Sequence, residues 1–98
     1  MDIHFEKNGV LFVWDERKAA SNPRKHDRVT FEQATEAFFD PFLKLVDAGR
    51  NDEARDAVIG YDASGRLLFV VHVEIEGEAI RLISARKATV TERNHYDL

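Results

Sequence analysis

The chain contains no cysteine. That excludes a disulfide framework and a thiolate metal site, and it fits a reducing compartment. Proline is scarce, limited to Pro23 and Pro41, so few positions are barred from regular structure. Apolar runs such as Leu67 to Val71 fall far short of the roughly 20 residues that a spanning helix needs. The opening stretch, Met1 to Gly9, has no basic segment followed by an apolar one, so no secretory signal is expected. These absences predict one cytoplasmic domain over residues 1–98, without membrane contact. A chain of 98 residues can bury a core without staples, by a thin margin.

An excess of positive charge is missing too. Fourteen Lys/Arg against 18 Asp/Glu give a net charge of −4, which on its own argues against a nucleic-acid binder. The distribution says more. Arg17, Lys18, Arg24, Lys25 and Arg28 crowd one segment with a single acid, Asp27. Arg81, Arg86, Lys87 and Arg93 crowd another, again with one acid, Glu92. Between Glu32 and Ile80 stand eleven acids and four bases. Such segregation matters only if the two basic segments meet in space, because surface field is local.

Periodicity and punctuation predict an α+β fold. Asn8-Gly9 between apolar runs signals a β-hairpin. Asp15 is placed to cap a helix running to about residue 26, kinked or broken at Pro23. Thr30-x-x-Gln33 is a capping box ahead of a stripe at Phe31, Ala34, Ala37 and Phe38, and Asp40-Pro41 stops that helix. Strands are expected over Phe42–Asp47, Arg55–Tyr61, Arg66–Glu74 and Ala79–Arg86, with a polar loop from Ala48 to Glu53 and turns at Asp62–Gly65 and Glu76–Glu78. Thr89-x-x-Glu92 opens a short last helix. Short connections imply an antiparallel meander, covered on one face by helices.

Several motifs in this order resemble a known family. Trp14-Asp15-x-x-Lys18-x-x-x-Asn22-x-x-Lys25-His26, Phe31-Glu32-x-Ala34, Phe39-Asp40-Pro41, Gly65-Arg66-Leu67-Leu68 with His72, and Arg81-Leu82-Ile83-Ser84-Ala85-Arg86 with Glu92-x-x-x-Tyr96 are similar to the BrnT toxins. Pro23 and Asp27 depart from the family pattern, which tends to an ordinary helix former and a glycine there. The resemblance implies a RelE-like fold: an antiparallel meander with two N-terminal helices and one C-terminal helix. It implies the toxin of a type II toxin–antitoxin pair, an endoribonuclease that cuts RNA with no metal and no cofactor. The implied partner is BrnA, a ribbon-helix-helix antitoxin that neutralises the toxin and links it to operator DNA. A toxin dimer within a heterotetrameric complex is the implied assembly.

Metal-free RNA cleavage needs a base for the 2′-hydroxyl, cations for charge on the phosphorane and an acid for the leaving oxygen. Lys18, Asn22 and His26, four apart, share a helical face if the helix continues through Pro23. Histidine exchanges protons near neutrality, whereas a lysine serves as a base only where burial or nearby cations depress its pKa. Arg81 and Arg86 suit phosphate oxygens. Five residues apart, they face opposite sides of a regular strand, and Arg81 is the first choice for stabilising the transition state. Lys18, His26, Arg81 and Arg86 are therefore the catalytic candidates. Arg24, Lys25, Lys87 and Tyr96 are the RNA-binding ones, Tyr96 by stacking or proton donation.

Each of these has a structural rival. Trp14 is expected as a core or edge anchor, Lys18 and Lys25 serve equally as solvated charges, and Tyr96 equally packs on the sheet. His72 and Glu74 share a strand face, but two ligands without a third do not make a metal site. Phe38, Phe39 and Phe42 are expected in the core. A second functional reading is a toxin-like module that only pairs with an antitoxin and represses its operon.

Overall fold

The computed structural model describes residues 1–49 and 53–98, so the expected Ala48–Glu53 loop lies partly outside the described residues. Asn8 and Gly9 take φ of 50° and 82°, which closes a tight hairpin between β1 (Asp2–Lys7) and β2 (Val10–Asp15). The Asp15 carboxylate accepts from the amides of Arg17 and Lys18 and starts α1 (Glu16–Lys25).

Of the kink or break expected at Pro23, the break does not occur: α1 is continuous through it. Pro23 lies in the last turn, where its missing amide removes one bond close to the helix end. Its carbonyl then accepts from the Arg28 amide at 2.8 Å. Asp27 between them has φ 57°, the left-handed conformation in which helices commonly end, usually at glycine.

Thr30 and Gln33 form the expected capping box on α2 (Phe31–Glu36), which tightens into a 3-10 turn at Ala37–Phe39 before Asp40-Pro41. β3 (Lys44–Asp47), β4 (Asp56–Tyr61), β5 (Leu67–Ile75) and β6 (Ala79–Lys87) follow, then α3 (Val90–Tyr96) behind the Thr89/Glu92 capping box.

The sheet has six strands in the order β1-β2-β6-β5-β4-β3. β3 to β6 form the expected antiparallel run, but β2 joins β6 in parallel through Phe12↔Ile80 and Val13↔Arg81. The sheet is therefore mixed, which corrects the all-antiparallel meander. The cause is the pair of helices after β2: they carry the chain across the sheet, so the hairpin and the later strands enter from opposite sides and close at β6.

Phe12, Trp14, Val58, Leu68, Val70, Leu82 and Ala85 point to one face, where Val29, Phe31, Ala34 and Ala37 cover them. Trp14 is 1% exposed and packs edge-on against Phe31, so it is a core anchor. Gly60 of β4 permits the 3-10 turn to come close: a Cβ there would meet the Ala37 carbonyl oxygen at 2.5 Å. Phe38 and Phe39 pack on Phe12, whereas Phe42 is 73% exposed and does not join the expected aromatic core. It lies past the Asp40-Pro41 stop and before β3, which begins only at Lys44.

A β-bulge overturns one expectation about the second basic segment. Val71 opposes Ser84 while His72 opposes Leu82, so Ile83 is an extra residue in β6. Arg81 and Arg86 therefore oppose Val73 and Phe69, two residues of β5 that share a face. A bulge inserts one residue and inverts the alternation beyond it. Arg81 and Arg86 thus lie on the same face of the sheet, opposite the core.

Candidate functional site

On that second face lies a cavity of about 480 Å³. Phe69, Val71, Ser84 and Arg86 from β5 and β6 form its base, His26 stands on one side, and Ala48, Gly49 and Arg55 stand on the other. His26 and Arg86, from the two basic segments, meet at one cavity. A slightly larger hollow of about 540 Å³ adjoins it and shares Gly49 and Arg55. Asp47, Glu53, Asp56 and Glu74 line that one, and such a wall repels a phosphate.

His26 arrives at the cavity because α1 lies along the free edge of β6. The Asn22 side chain donates to the Ala85 carbonyl at 2.8 Å and accepts from the Ala85 amide at 3.2 Å. It also donates to the Val29 carbonyl at 2.8 Å. One carboxamide thus occupies an edge that a neighbouring strand would otherwise pair. His26 follows one turn later as the helix C-cap, half-buried, its amide donating to the Asn22 carbonyl. Asp27 adds a further link, accepting from the Lys87 amide at 3.2 Å.

The Arg86 guanidinium stacks 4.3 Å above the Phe69 ring. Glu92 of α3 accepts from both of its terminal nitrogens, at 2.7 and 2.8 Å. That bidentate pairing raises the guanidinium pKa above its ordinary value, against the opposing effect of burial. Burial pushes the Glu92 carboxyl up, yet the bonds from Arg86 and the Thr89 amide outweigh it and hold the group low. Arg86 is thereby a fixed, fully charged group with a planar face on an aromatic ring. Arg55 is tied to Glu53 at 2.7 Å. Arg55 and Ser84 were not singled out in the sequence: Arg55 stands in a polar, mostly acidic stretch, and nothing in the residue order shows which strand face carries Ser84.

The other candidates are arranged differently. Arg81 shares Arg86's face but does not line the cavity; Asp2 at the β1 edge engages it at 2.7 and 3.2 Å. Lys18 is exposed on α1, two turns before His26 on the same helical face. Arg24 and Lys25 are exposed in the last turn of α1. Lys87 is exposed at the end of β6, beside a separate hollow. Tyr96 donates its hydroxyl to Asp40 at 2.7 Å and packs edge-on against Tyr61. Burial and the Asp40 carboxylate push its phenol up to about 12. Asp40 also accepts from the amides of Phe42 and Tyr61, so the Asp40–Tyr96 pair fastens α3 to the sheet. His72 is buried facing the core, edge-on to Phe38, and is turned away from any surface ligand with Glu74. Among the described residues, no group of three or more His, Asp or Glu is arranged to hold a metal ion, and no helix is long and apolar enough to cross a membrane.

A cationic cavity that joins a histidine to guanidinium groups is chemically suited to a phosphodiester. Residues 14–92 match the family model for the ribonuclease toxin, BrnT, of a type II toxin-antitoxin system. The class is thus a ribonuclease toxin, one that has a protein antitoxin as its counterpart. The match spans most of the chain, and the chain belongs to the BrnT toxin family. A comparison with curated protein sequences returned no match.

Proposed function

We propose that this protein is a RelE-like, metal-independent endoribonuclease that cuts RNA in the cavity between His26, Arg55 and Arg86, and that a BrnA-like ribbon-helix-helix antitoxin neutralises it. The meeting of His26 and Arg86 at one cavity carries this reading. The 2′-hydroxyl adjacent to the scissile phosphate attacks phosphorus as His26 takes its proton. The bond to the 5′-oxygen breaks, leaving a 2′,3′-cyclic phosphate, and a proton returns to the departing oxygen. General acid–base transfer of this kind contributes about 10²–10⁴-fold. Arg86, held in place by Glu92 and Phe69, stabilises the charge that grows on the non-bridging oxygens, and Arg55 assists from the opposite wall. Lys18, Arg24 and Lys25 serve as exposed cations that hold the strand as it enters.

Metal independence is supported by the side chains themselves, which supply both proton exchange and positive charge. The antitoxin, through its own DNA-binding fold, connects the toxin with operator DNA, in a complex that contains two toxin copies.

The direct test is incubation of purified protein with RNA in excess EDTA, followed by analysis of the ends. Cleavage to cyclic phosphate and 5′-hydroxyl ends is expected, with His26→Ala slower by about 10²-fold or more. Intact RNA at a large excess of wild-type protein overturns the proposal and leaves the antitoxin-pairing module as the remaining reading.

A further inference from the structure

A second cationic hollow, of about 240 Å³, sits at the end of the sheet where β5 begins and β6 finishes. Arg66, Lys87 and Arg93 line it together with Gly65, Leu67 and Ala88, and no acid does. The Ala88 amide donates to the Leu67 carbonyl at 2.9 Å and ties the two strands there. The nearby carboxylates are already engaged, Asp62 with one of these cations. Asp62 holds Arg66 through Nε at 2.9 Å and also accepts from Ser64. Glu92 is held by Arg86, and Asp27 accepts from the Lys87 amide.

Among the described residues, no carboxylate pairs with Lys87 or Arg93; the Arg93 guanidinium reaches only the Tyr61 hydroxyl, at 3.2 Å. Arg66 has a buried terminal nitrogen with no acceptor. A covered guanidinium nitrogen without a partner is costly, so the protein's own groups leave this cluster unsatisfied. Lys87 and Arg93, without carboxylate partners among the described residues, also repel each other beside the Arg66–Asp62 pair, and an anion between them relieves that repulsion.

We infer that Arg66, Lys87 and Arg93 form a second anion subsite, which takes a backbone phosphate of the same RNA strand flanking the one that is cut. The inference rests on the ribonuclease reading for its ligand. Arg86 and Lys87 are neighbours on β6 with opposite facing, so the strand end presents one cation to the cleft and the next to this hollow. The basic end of α1, fastened to Lys87 by Asp27, borders the same strand end. A single strand leaving the cleft around that end meets positive charge continuously, the arrangement that tracks a backbone without reading bases.

Two substrates separate the subsite from the chemistry. A 2′-O-methyl oligoribonucleotide binds but has no free 2′-hydroxyl to react, and a dinucleotide spans only the scissile linkage. The Lys87→Gln/Arg93→Gln double variant should bind the oligonucleotide roughly tenfold more weakly at low salt, and its log Kd against log salt slope should fall by about 0.7, the value for one phosphate. Its dinucleotide cleavage should equal that of wild type. Lys7→Gln/Arg17→Gln, which removes the same charge elsewhere, should lose far less affinity. Equal losses in the two double variants, or none in the first, overturn the subsite. If the wild type leaves the dinucleotide and an unmodified RNA intact while binding of the 2′-O-methyl oligonucleotide still depends on Lys87 and Arg93, the cleavage reading fails and the subsite stands.

Discussion

The carboxamide of Asn22 pairs with both backbone groups of Ala85, 63 positions later in the chain. Through that contact the edge of β6 is closed by a helix side chain, and His26 is delivered to the strand that carries Arg86.

Asn22 is 4% exposed, so truncating it leaves the Ala85 amide and two carbonyls without partners in a place water does not easily reach. Each such group costs about 1–3 kcal/mol. Asn22→Ala should lower unfolding stability by about 3 kcal/mol, read as a fall in the urea midpoint with the slope unchanged. A midpoint equal to wild type would show that the clamp contributes nothing.

Arg81 and Arg86 share a face, yet only Arg86 lines the cavity. Under the proposed chemistry, Arg86→Ala should slow RNA cleavage by about 10²–10³-fold, the usual loss for a donor aimed at developing charge. Arg81→Ala, which breaks the pair with Asp2 at the sheet edge, should leave the rate within about threefold of wild type. Measuring both kcat values on one RNA checks the ranking, and the reverse order would move the active centre toward β1.

Arg28 follows Asp27 in the left-handed region, with φ 60°, and its side chain is exposed. A side chain costs about 1–2 kcal/mol in that conformation, and glycine avoids the cost, though it adds freedom to the unfolded chain. Arg28→Gly should therefore stabilise the fold by up to about 1 kcal/mol and raise Tm by a few degrees, measured by thermal unfolding at neutral pH.

Burial depresses the pKa of His72 below its ordinary 6.5; the Val70 carbonyl, Asp56 and Glu74 oppose that shift without cancelling it. The folded state thus binds fewer protons than the unfolded state just below 6.5, and stability rises with pH in that window. The contribution is complete above about 6.5 and is lost as pH falls toward the depressed folded value. Phe38 faces the ring and offers no charge to hold a proton. His72→Leu should flatten the acid-side loss below about pH 6.5 in urea titrations. An unchanged pH slope in the variant would place the dependence on other groups.

Much of the local structure was legible because it depends on near neighbours. The Asn8-Gly9 turn, the Asp15 cap, both capping boxes and the Asp40-Pro41 stop each act within a few residues, and all are present. Pro23 leaves α1 unbroken because its cost depends on how far it stands from the helix end. Arg81 and Arg86 depart from regular strand alternation because Ile83 is an inserted residue, detectable only from the pairing partner on β5.

The family motifs show the same division. Asp15, Asn22, Asp40 and Tyr96 read as a pattern along the chain, and their observed contacts are capping, clamping and fastening. Arg55 was invisible as a cleft residue, since its place is set by how β3 and β4 lie against β5.

The sequence by itself determined the elements, their order and the two clusters of positive charge, because capping, turn chemistry and apolar period are short-range effects. The tertiary structure alone decided that β2 lies parallel to β6, that the bulge turns Arg86 onto the open face, and that His26 stands across from Arg55. Those outcomes depend on contacts between residues tens of positions apart, and no local preference encodes which side of a sheet a distant helix will close.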